Sequence, residues 1–255
     1  MGELEGRTIL VTGASKGLGA AIASAVGAAG AHVIAHYGSD RAGAEAAVAA
    51  LPPERVRLLQ ADFADPAAAG RLWAEALGWR SRVDVLVNNA AVMRLRGGIK
   101  DADDAWDEVW DEAVRINLLA PARLMREAVR CFAGGAGGIV ITISSWVAQR
   151  GPANPEAIAY AATKAAITVA TKTVARGYAR RGVLAYAIAP GVVRTRMSEE
   201  SAATTGGEAA VTAGLAMGEW VPPEEIAELV VFLASGRCRH LTGATLDVNG
   251  ATYLR

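Results

Sequence analysis

Lysine is nearly missing from this 255-residue chain: it stands only at Lys16, Lys100, Lys164 and Lys172, and the rest of the basic charge is arginine. No sign of charge prevails either, because 26 basic and 26 acidic residues leave a formal net charge of zero. That balance argues against a nucleic-acid binder, which needs a basic face or stripe for the phosphate backbone. The only cysteines, Cys131 and Cys238, lie far apart and fit no metal or redox spacing. They read as small buried or half-buried residues of a reducing compartment, and no metal site is expected. No run of about 18 apolar residues exists to span a membrane. No signal peptide is visible, since "RTILVTG" already reads as a strand and turn by residue 13. A soluble, cytoplasmic protein is expected. There is also no composition break, long linker or internal repeat, so a single domain is the economical reading.

What the chain does contain is hydrophobic residues, at 52%, enough to exclude disorder and to fill a sizeable core. Short β-branched runs at 8–11, 32–36, 56–60, 83–87, 138–143, 183–188 and 244–248 read as strands. Alanine-rich stretches at about 17–29, 40–51, 66–78, 103–133, 156–181 and 223–234 read as helices. The strand runs are apolar throughout rather than alternating, the pattern of strands buried on both faces. The fold class is therefore α/β: a Rossmann-type, doubly wound parallel sheet of about seven strands with helices on both faces. One segment, 194–220, breaks the regularity; it is rich in Ser, Ala, Thr and Gly and follows a strand's C-terminal end. That is where a substrate lid sits in such a fold.

The first strand runs into "LVTGASKGLG", with glycines at 13, 17 and 19. Gly13 permits a tight turn, Gly17 lets backbone amides approach a pyrophosphate, and Gly19 allows close helix–sheet packing. The helix that follows presents its N–H groups and dipole to phosphate. The spacing is neither G-x-G-x-x-G nor a P-loop. Farther along stand "NNAA" (88–91), "INL" around Asn117, "ISS" ending at Ser145, "YAATK" (160–164), "PGVVRT" (190–195) and "LTGATLDVNGA" (241–251).

In this order, over residues 5 to 252, these motifs resemble those of the short-chain dehydrogenase/reductase family, and within it the 3-oxoacyl-acyl-carrier-protein reductase-like members. The chain departs from the pattern in three places. Ala91 replaces a glycine, "VNGA" replaces V-D-G-G, and the 146–159 loop is longer than in many members. The resemblance implies a nicotinamide dinucleotide held by Gly13, Ser15, Lys16, Gly17, Leu18, Gly19, Tyr37, Ser39, Arg41, Asp62, Phe63, Asn89, Ala90, Ala91, Tyr160, Lys164, Pro190, Gly191, Val193 and Thr195. It also implies a homotetramer pairing the helices near 117–133 and 157–180 and the C-terminal segments.

A hydride donor or acceptor needs an acid or base for the substrate oxygen. A tyrosine with its pKa near 10 is a poor base at neutral pH unless a cation favours the phenolate. Tyr160 and Lys164, four apart on one helix face, supply that pairing. Alone, the spacing is an ordinary helix-surface pair; the glycine turn upstream and a serine ending the fifth strand change its meaning. Ser145 is read as polarising the substrate carbonyl, with Ser144 turned to the other side of the strand. Asn117 sits where asparagine is mildly unfavourable in a helix. The family uses that residue to hold a relay water with the lysine; the alternative is a kink or a side chain bonded to nearby backbone.

NAD-preferring enzymes usually place an acidic residue at the end of the second strand. Here the strand ends "HYGSDR", Asp40 comes late and fits a helix cap, and Lys16 and Arg41 stand near enough to suit a 2′-phosphate. NADP(H) is thus favoured over NAD(H). Val92, Met93, Trp146, Val192 and Met197 suit an apolar substrate wall, and Arg94, Arg96 and Arg150 read as solvated. The expected activity is hydride transfer between the nicotinamide and a ketone or secondary alcohol. The competing reading is a catalytically silent dinucleotide-binding regulator.

Overall fold

The structure, a computed structural model, describes residues 2–254. Seven strands form one parallel sheet in the order β3-β2-β1-β4-β5-β6-β7. They are β1 (Thr8–Val11), β2 (His32–Tyr37), β3 (Val56–Gln60), β4 (Val85–Asn88), β5 (Gly138–Ile143), β6 (Val183–Pro190) and β7 (Thr245–Val248). Alternate side chains of the inner strands divide between two cores. Ile9, Val11, Val33, Val85, Val87, Ile139 and Ile141 face one side with Ile22, Val26, Ile226 and Val230. Those four come from α1 (Gly17–Ala28) and α10 (Pro223–Ala234). Leu10, Ile34, Leu86 and Val140 face the other side. They pack on Leu72 and Trp73 of α3 (Ala68–Arg80), Leu124 of α5 (Ala120–Gly134) and Ile167 of α7 (Ile158–Tyr178). Burial on both faces is why the inner strands carry no polar alternation, whereas the edge strands β3 and β7 expose Arg57, Gln60 and Asp247.

The sequence reading holds for the seven strands, with two informative shifts. β4 begins at Val85 rather than 83, because the Asp84 carboxylate accepts the Thr8 N–H at 2.7 Å and fills that ladder position with a side chain. The single helix expected over 103–133 is α4 (Asp103–Ala113), a π-helical turn (Val114–Leu119) and α5. Asn117 lies inside the π turn, and such bulges concentrate at functional positions. The helix expected from 40 begins as α2 (Arg41–Ala47), with Asp40 its N-cap, accepting from the Gly43 N–H at 2.9 Å. Both cysteines are exposed, against the expectation of burial.

After Ser145 a short α6 (Val147–Arg150) leads toward α7. The 194–220 segment carries α8 (Arg196–Ala203) and α9 (Gly207–Ala213), and it starts and finishes at a parallel bridge between Val193 and Val221. Its base is therefore closed. Arg194 extends over the Trp220 ring, 4.9 Å from the centroid, and pairs with Glu208 on α9. Among the described residues no helix is long and apolar enough to cross a membrane.

Candidate active site

The chain order reverses between β1 and β4, so their C-terminal ends open onto the crevice where ligands of doubly wound sheets bind. The glycine turn forms one lip. Gly13 and Gly17 adopt φ of +68° and +53°, a region side-chain-bearing residues disfavour. A Cβ on Gly13 would lie 2.9 Å from the Ala90 Cα, and one on Gly19 would lie 2.0 Å from the Gly13 carbonyl. The turn is braced from below. Thr12 Oγ1 accepts from the N–H groups of Asn89 (2.9 Å) and Ala90 (3.1 Å). Asn89 Nδ2 donates to the Thr12 and Gly13 carbonyls at 2.8 and 3.2 Å. The Asn89 side chain is thus a strut between β1 and β4. Ala91 beyond it is half-buried.

The N-terminus of α1 has no side-chain cap, and no acidic residue stands in its first turn. Its free N–H groups and dipole face the crevice opposite Thr195, whose Cγ2 lies 3.2 Å from where a Gly17 Cβ would be. An uncapped helix end beside a left-handed glycine turn at the switch point fits a dinucleotide diphosphate. Ser15 is spent on the scaffold, its Oγ donating to the Asp40 carbonyl at 2.7 Å, and Leu18 packs against the core. Lys16 is exposed. Across the crevice Pro190 and Val193 are buried, and Gly191 fits closely against Asn249. Thr195 heads α8 as its N-cap.

At the end of β2, Tyr37 is buried, while Ser39 and Arg41 are exposed. Arg41 pairs with Glu45 one turn along α2, with Tyr37 as a further partner. Asp62 turns back to accept the Ala64 N–H at 2.9 Å, a local capping contact. Phe63 is buried and stacked on His36, ring centroids 4.5 Å apart, so its ring belongs to the scaffold.

Asn117, Ser145, Tyr160 and Lys164 meet at the C-terminal ends of β4 and β5 against the start of α7. Tyr160 is half-buried and Lys164 buried. Burial pushes the Tyr160 phenol up to about 12, opposed by a hydrogen bond with Ser145. Burial also brings the Lys164 ammonium down to about 8. Lys164 Nζ donates to the Ile143 carbonyl at 2.7 Å and lies 5.7 Å from the Tyr160 ring centroid. Ser144 faces away from Tyr160: its Oγ lies 2.6 Å from Thr168 Oγ1 on α7. Asn117 makes a reciprocal pair with Val92, accepting from its N–H and donating to its carbonyl, both at 2.8 Å. Its Nδ2 also donates to Thr163 Oγ1 at 3.2 Å.

Val92, Met93, Trp146, Val192 and Met197 are all half-buried around this group, none being absorbed into the core. The arginines read as solvated have partners. Arg94 makes a two-pronged contact with Glu112, Arg96 one with Glu108, and Arg150 lies over the Trp146 ring at 4.5 Å. Three supporting residues carried no role in the sequence reading: Thr12, Thr163 and His36. Thr12 stood inside the glycine motif, and Thr163 inside "YAATK". His36 had one visible signal, a second imidazole in a strand, HVIAHY, that already begins with His32.

The comparisons with known proteins agree with this geometry. The family profile described as Enoyl-(Acyl carrier protein) reductase matches residues 13–251. The chain is 35% identical to 3beta-hydroxysteroid dehydrogenase 1 of Eggerthella lenta, over 99% of this chain and 95% of that protein. It is 34% identical to the 3-oxoacyl-[acyl-carrier-protein] reductase of Escherichia coli, over 98% of both chains. A structure described as an NAD(P)-dependent gluconate 5-dehydrogenase from Beutenbergia cavernae, with NADP at low occupancy, superposes with a TM-score of 0.88 at 34% identity. That superposition covers 98% of this chain and 97% of the other. The chain belongs to the short-chain dehydrogenase/reductase family and is an oxidoreductase acting on CH–OH/C=O groups with a nicotinamide cofactor.

Proposed function

We propose that the protein interconverts a ketone and a secondary alcohol with NADP(H), using Tyr160 as acid and base. The observation that carries this reading is the contact between the Ser145 hydroxyl and the Tyr160 phenol, with the Lys164 ammonium under the ring. When bound, the nicotinamide supplies or takes the hydride and, when oxidised, adds positive charge. In reduction Tyr160 gives its phenolic proton to the substrate oxygen, while Ser145 donates a hydrogen bond that steadies the negative charge developing there. In oxidation the phenolate takes that proton back. Lys164 favours the phenolate and offers an N–H to the ribose. Asn117 holds the Val92 main chain at the edge of the site.

Several features support NADP(H). Asp40 is occupied in capping α2, no other acidic side chain stands at the end of β2, and Lys16 and Arg41 are exposed at that edge. The Beutenbergia structure holds NADP. The relatives' names cover a steroid alcohol, a 3-oxoacyl thioester and a sugar acid, all reacting at a carbonyl or carbinol carbon. The half-buried apolar wall favours the less polar end of that range, so steroid alcohols and 3-oxoacyl thioesters head the substrate panel. The 194–220 segment serves as the substrate lid. Exposed Leu119 and Val169, at 53% and 63% accessibility, support a homotetramer built on α5 and α7.

The test is a panel of 3-oxoacyl thioesters, ketones and secondary alcohols with NADPH and NADH. Tyr160→Phe is expected to lower kcat by about 10²–10⁴, the usual range for a lost general acid–base group. Near-wild-type turnover by that variant would overturn the assignment, and higher kcat/KM with NADH would overturn the cofactor preference. Tight NADPH binding without turnover across the panel favours the silent regulator.

A further inference from the structure

His36 is 2% exposed, at the point where the glycine turn, β2 and the end of β3 converge. Both ring nitrogens are in use. Nδ1 lies 3.0 Å from the Gly13 nitrogen and accepts its N–H. Nε2 lies 3.0 Å from the Ala61 carbonyl, so it is the nitrogen that carries the proton. The ring stacks on Phe63, with an interplanar angle of 16°. One neutral imidazole therefore ties the first residue of the left-handed turn to the strand end that leads into Asp62 and Phe63.

We propose that His36 is a positioning residue for the dinucleotide, setting the Gly13 peptide in the orientation that the diphosphate meets. Gly13 has no side chain to restrain its torsions, and at φ +68° its peptide could rotate. The Nδ1 acceptor anchors its N–H below the turn, so the amides that follow are presented to the crevice without a reorganisation cost on binding. The Nε2–H to Ala61 contact fixes the tautomer, as an outer partner does for a ligating histidine. Loss of Nδ1 leaves the half-buried Gly13 N–H without its partner and frees the turn. The consequence falls on dinucleotide affinity rather than on the proton-transfer step, since no group in the Ser145–Tyr160–Lys164 set touches His36. The inference rests on the proposed reading of the glycine turn as the diphosphate site.

Two variants separate the nitrogens. In His36→Asn the side-chain oxygen occupies the position of Nδ1 and still accepts from Gly13. In His36→Gln the amide nitrogen replaces Nε2–H and still reaches Ala61, while the acceptor for Gly13 is gone. NADPH binding is read by calorimetry or nucleotide fluorescence, and folding by thermal denaturation. The expected result is a roughly tenfold weaker Kd for His36→Gln, the size of one lost buried hydrogen bond, with His36→Asn near wild type. At saturating NADPH both variants keep kcat, so the change appears in the dinucleotide KM. Equal affinities for the two variants would overturn the role of His36 while leaving the diphosphate site standing. No NADPH binding by the wild-type protein would overturn both. Should either variant fail to fold, nitrogen NMR of the wild-type protein decides. NADPH is expected to shift the His36 Nδ1 signal and slow exchange of the Gly13 amide; no change in either would overturn the proposal.

Discussion

Lys164 bonds to the main chain and not to the Tyr160 phenol: Nζ donates to the Ile143 carbonyl at 2.7 Å and lies 5.7 Å from the Tyr160 ring centroid. Its effect on Tyr160 is therefore through space. A cation this near a phenol favours the phenolate by on the order of one to three pKa units while it is charged. Oxidation requires the phenolate, so its rate rises with pH through the Tyr160 pKa. Burial leaves the Lys164 ammonium charged only below about pH 8, so Lys164→Met is expected to slow oxidation below that pH and to converge on the wild type above it. A pH–rate profile of alcohol oxidation checks this, and an unmoved profile would show that Lys164 acts only by binding.

Asn117 explains the break in the long helix. Its amide matches both polar groups of Val92, and the π turn brings it to the depth where that pairing is possible. Asn117→Ala leaves the Val92 N–H and carbonyl without their partner. It should cost about 2–4 kcal/mol, as expected for two half-buried hydrogen bonds. Chemical denaturation measures the loss. A variant with full stability would mean that water replaces the amide without cost.

Behind the site, two hydroxyl pairs hold α7 against β5. Ser144 meets Thr168 at 2.6 Å, and Thr171 donates to Thr142 at 2.8 Å. Thr168 Oγ1 also donates to the Lys164 carbonyl at 2.7 Å, which links this contact to the lysine's own backbone. Thr168→Val keeps the shape and leaves the Ser144 hydroxyl only its long contact to the Lys164 carbonyl, 3.4 Å, at a cost of about 1–2 kcal/mol. Turnover is expected to fall with it, and Thr168→Ser to restore both. If Thr168→Val changes stability but leaves kcat and its pH profile unchanged, the pair serves folding alone.

The gathering of Asn117, Ser145, Tyr160 and Lys164 was legible in the sequence because its motifs place polar side chains at strand ends and at i, i+4 on a helix. Both patterns survive translation from one dimension to three. The seven strands were legible because parallel strands buried on two faces leave continuous apolar runs. What escaped depends on pairings between distant segments. The π turn arises from Asn117 meeting a backbone 25 residues away, and no local propensity encodes it. The exposure of Cys131 and Cys238 follows from which helix face and loop carry them, which composition cannot reveal. The stacking of the Phe63 ring on His36 of β2 likewise joins segments distant in sequence, which no local pattern encodes.

His36 also makes stability depend on acid. Burial brings its pKa down from 6.5 to about 4, with the Ala61 contact opposing. The unfolded chain takes up a proton below pH 6.5 and the native chain does not until about 4. Unfolding is therefore accompanied by proton uptake in that window, and stability falls as pH falls through it. The full difference of about 2.5 units amounts to about 3 kcal/mol, reached at about pH 4 and below. The many surface carboxylates also titrate there, so the measurement is a difference. Urea unfolding of the wild type and of His36→Asn is compared between pH 7 and pH 4. The wild type is expected to lose up to about 3 kcal/mol more than the variant across that range. Parallel curves for the two proteins would mean that His36 keeps its proton equilibrium on folding, and hence that Nδ1 is not held by the Gly13 N–H in solution.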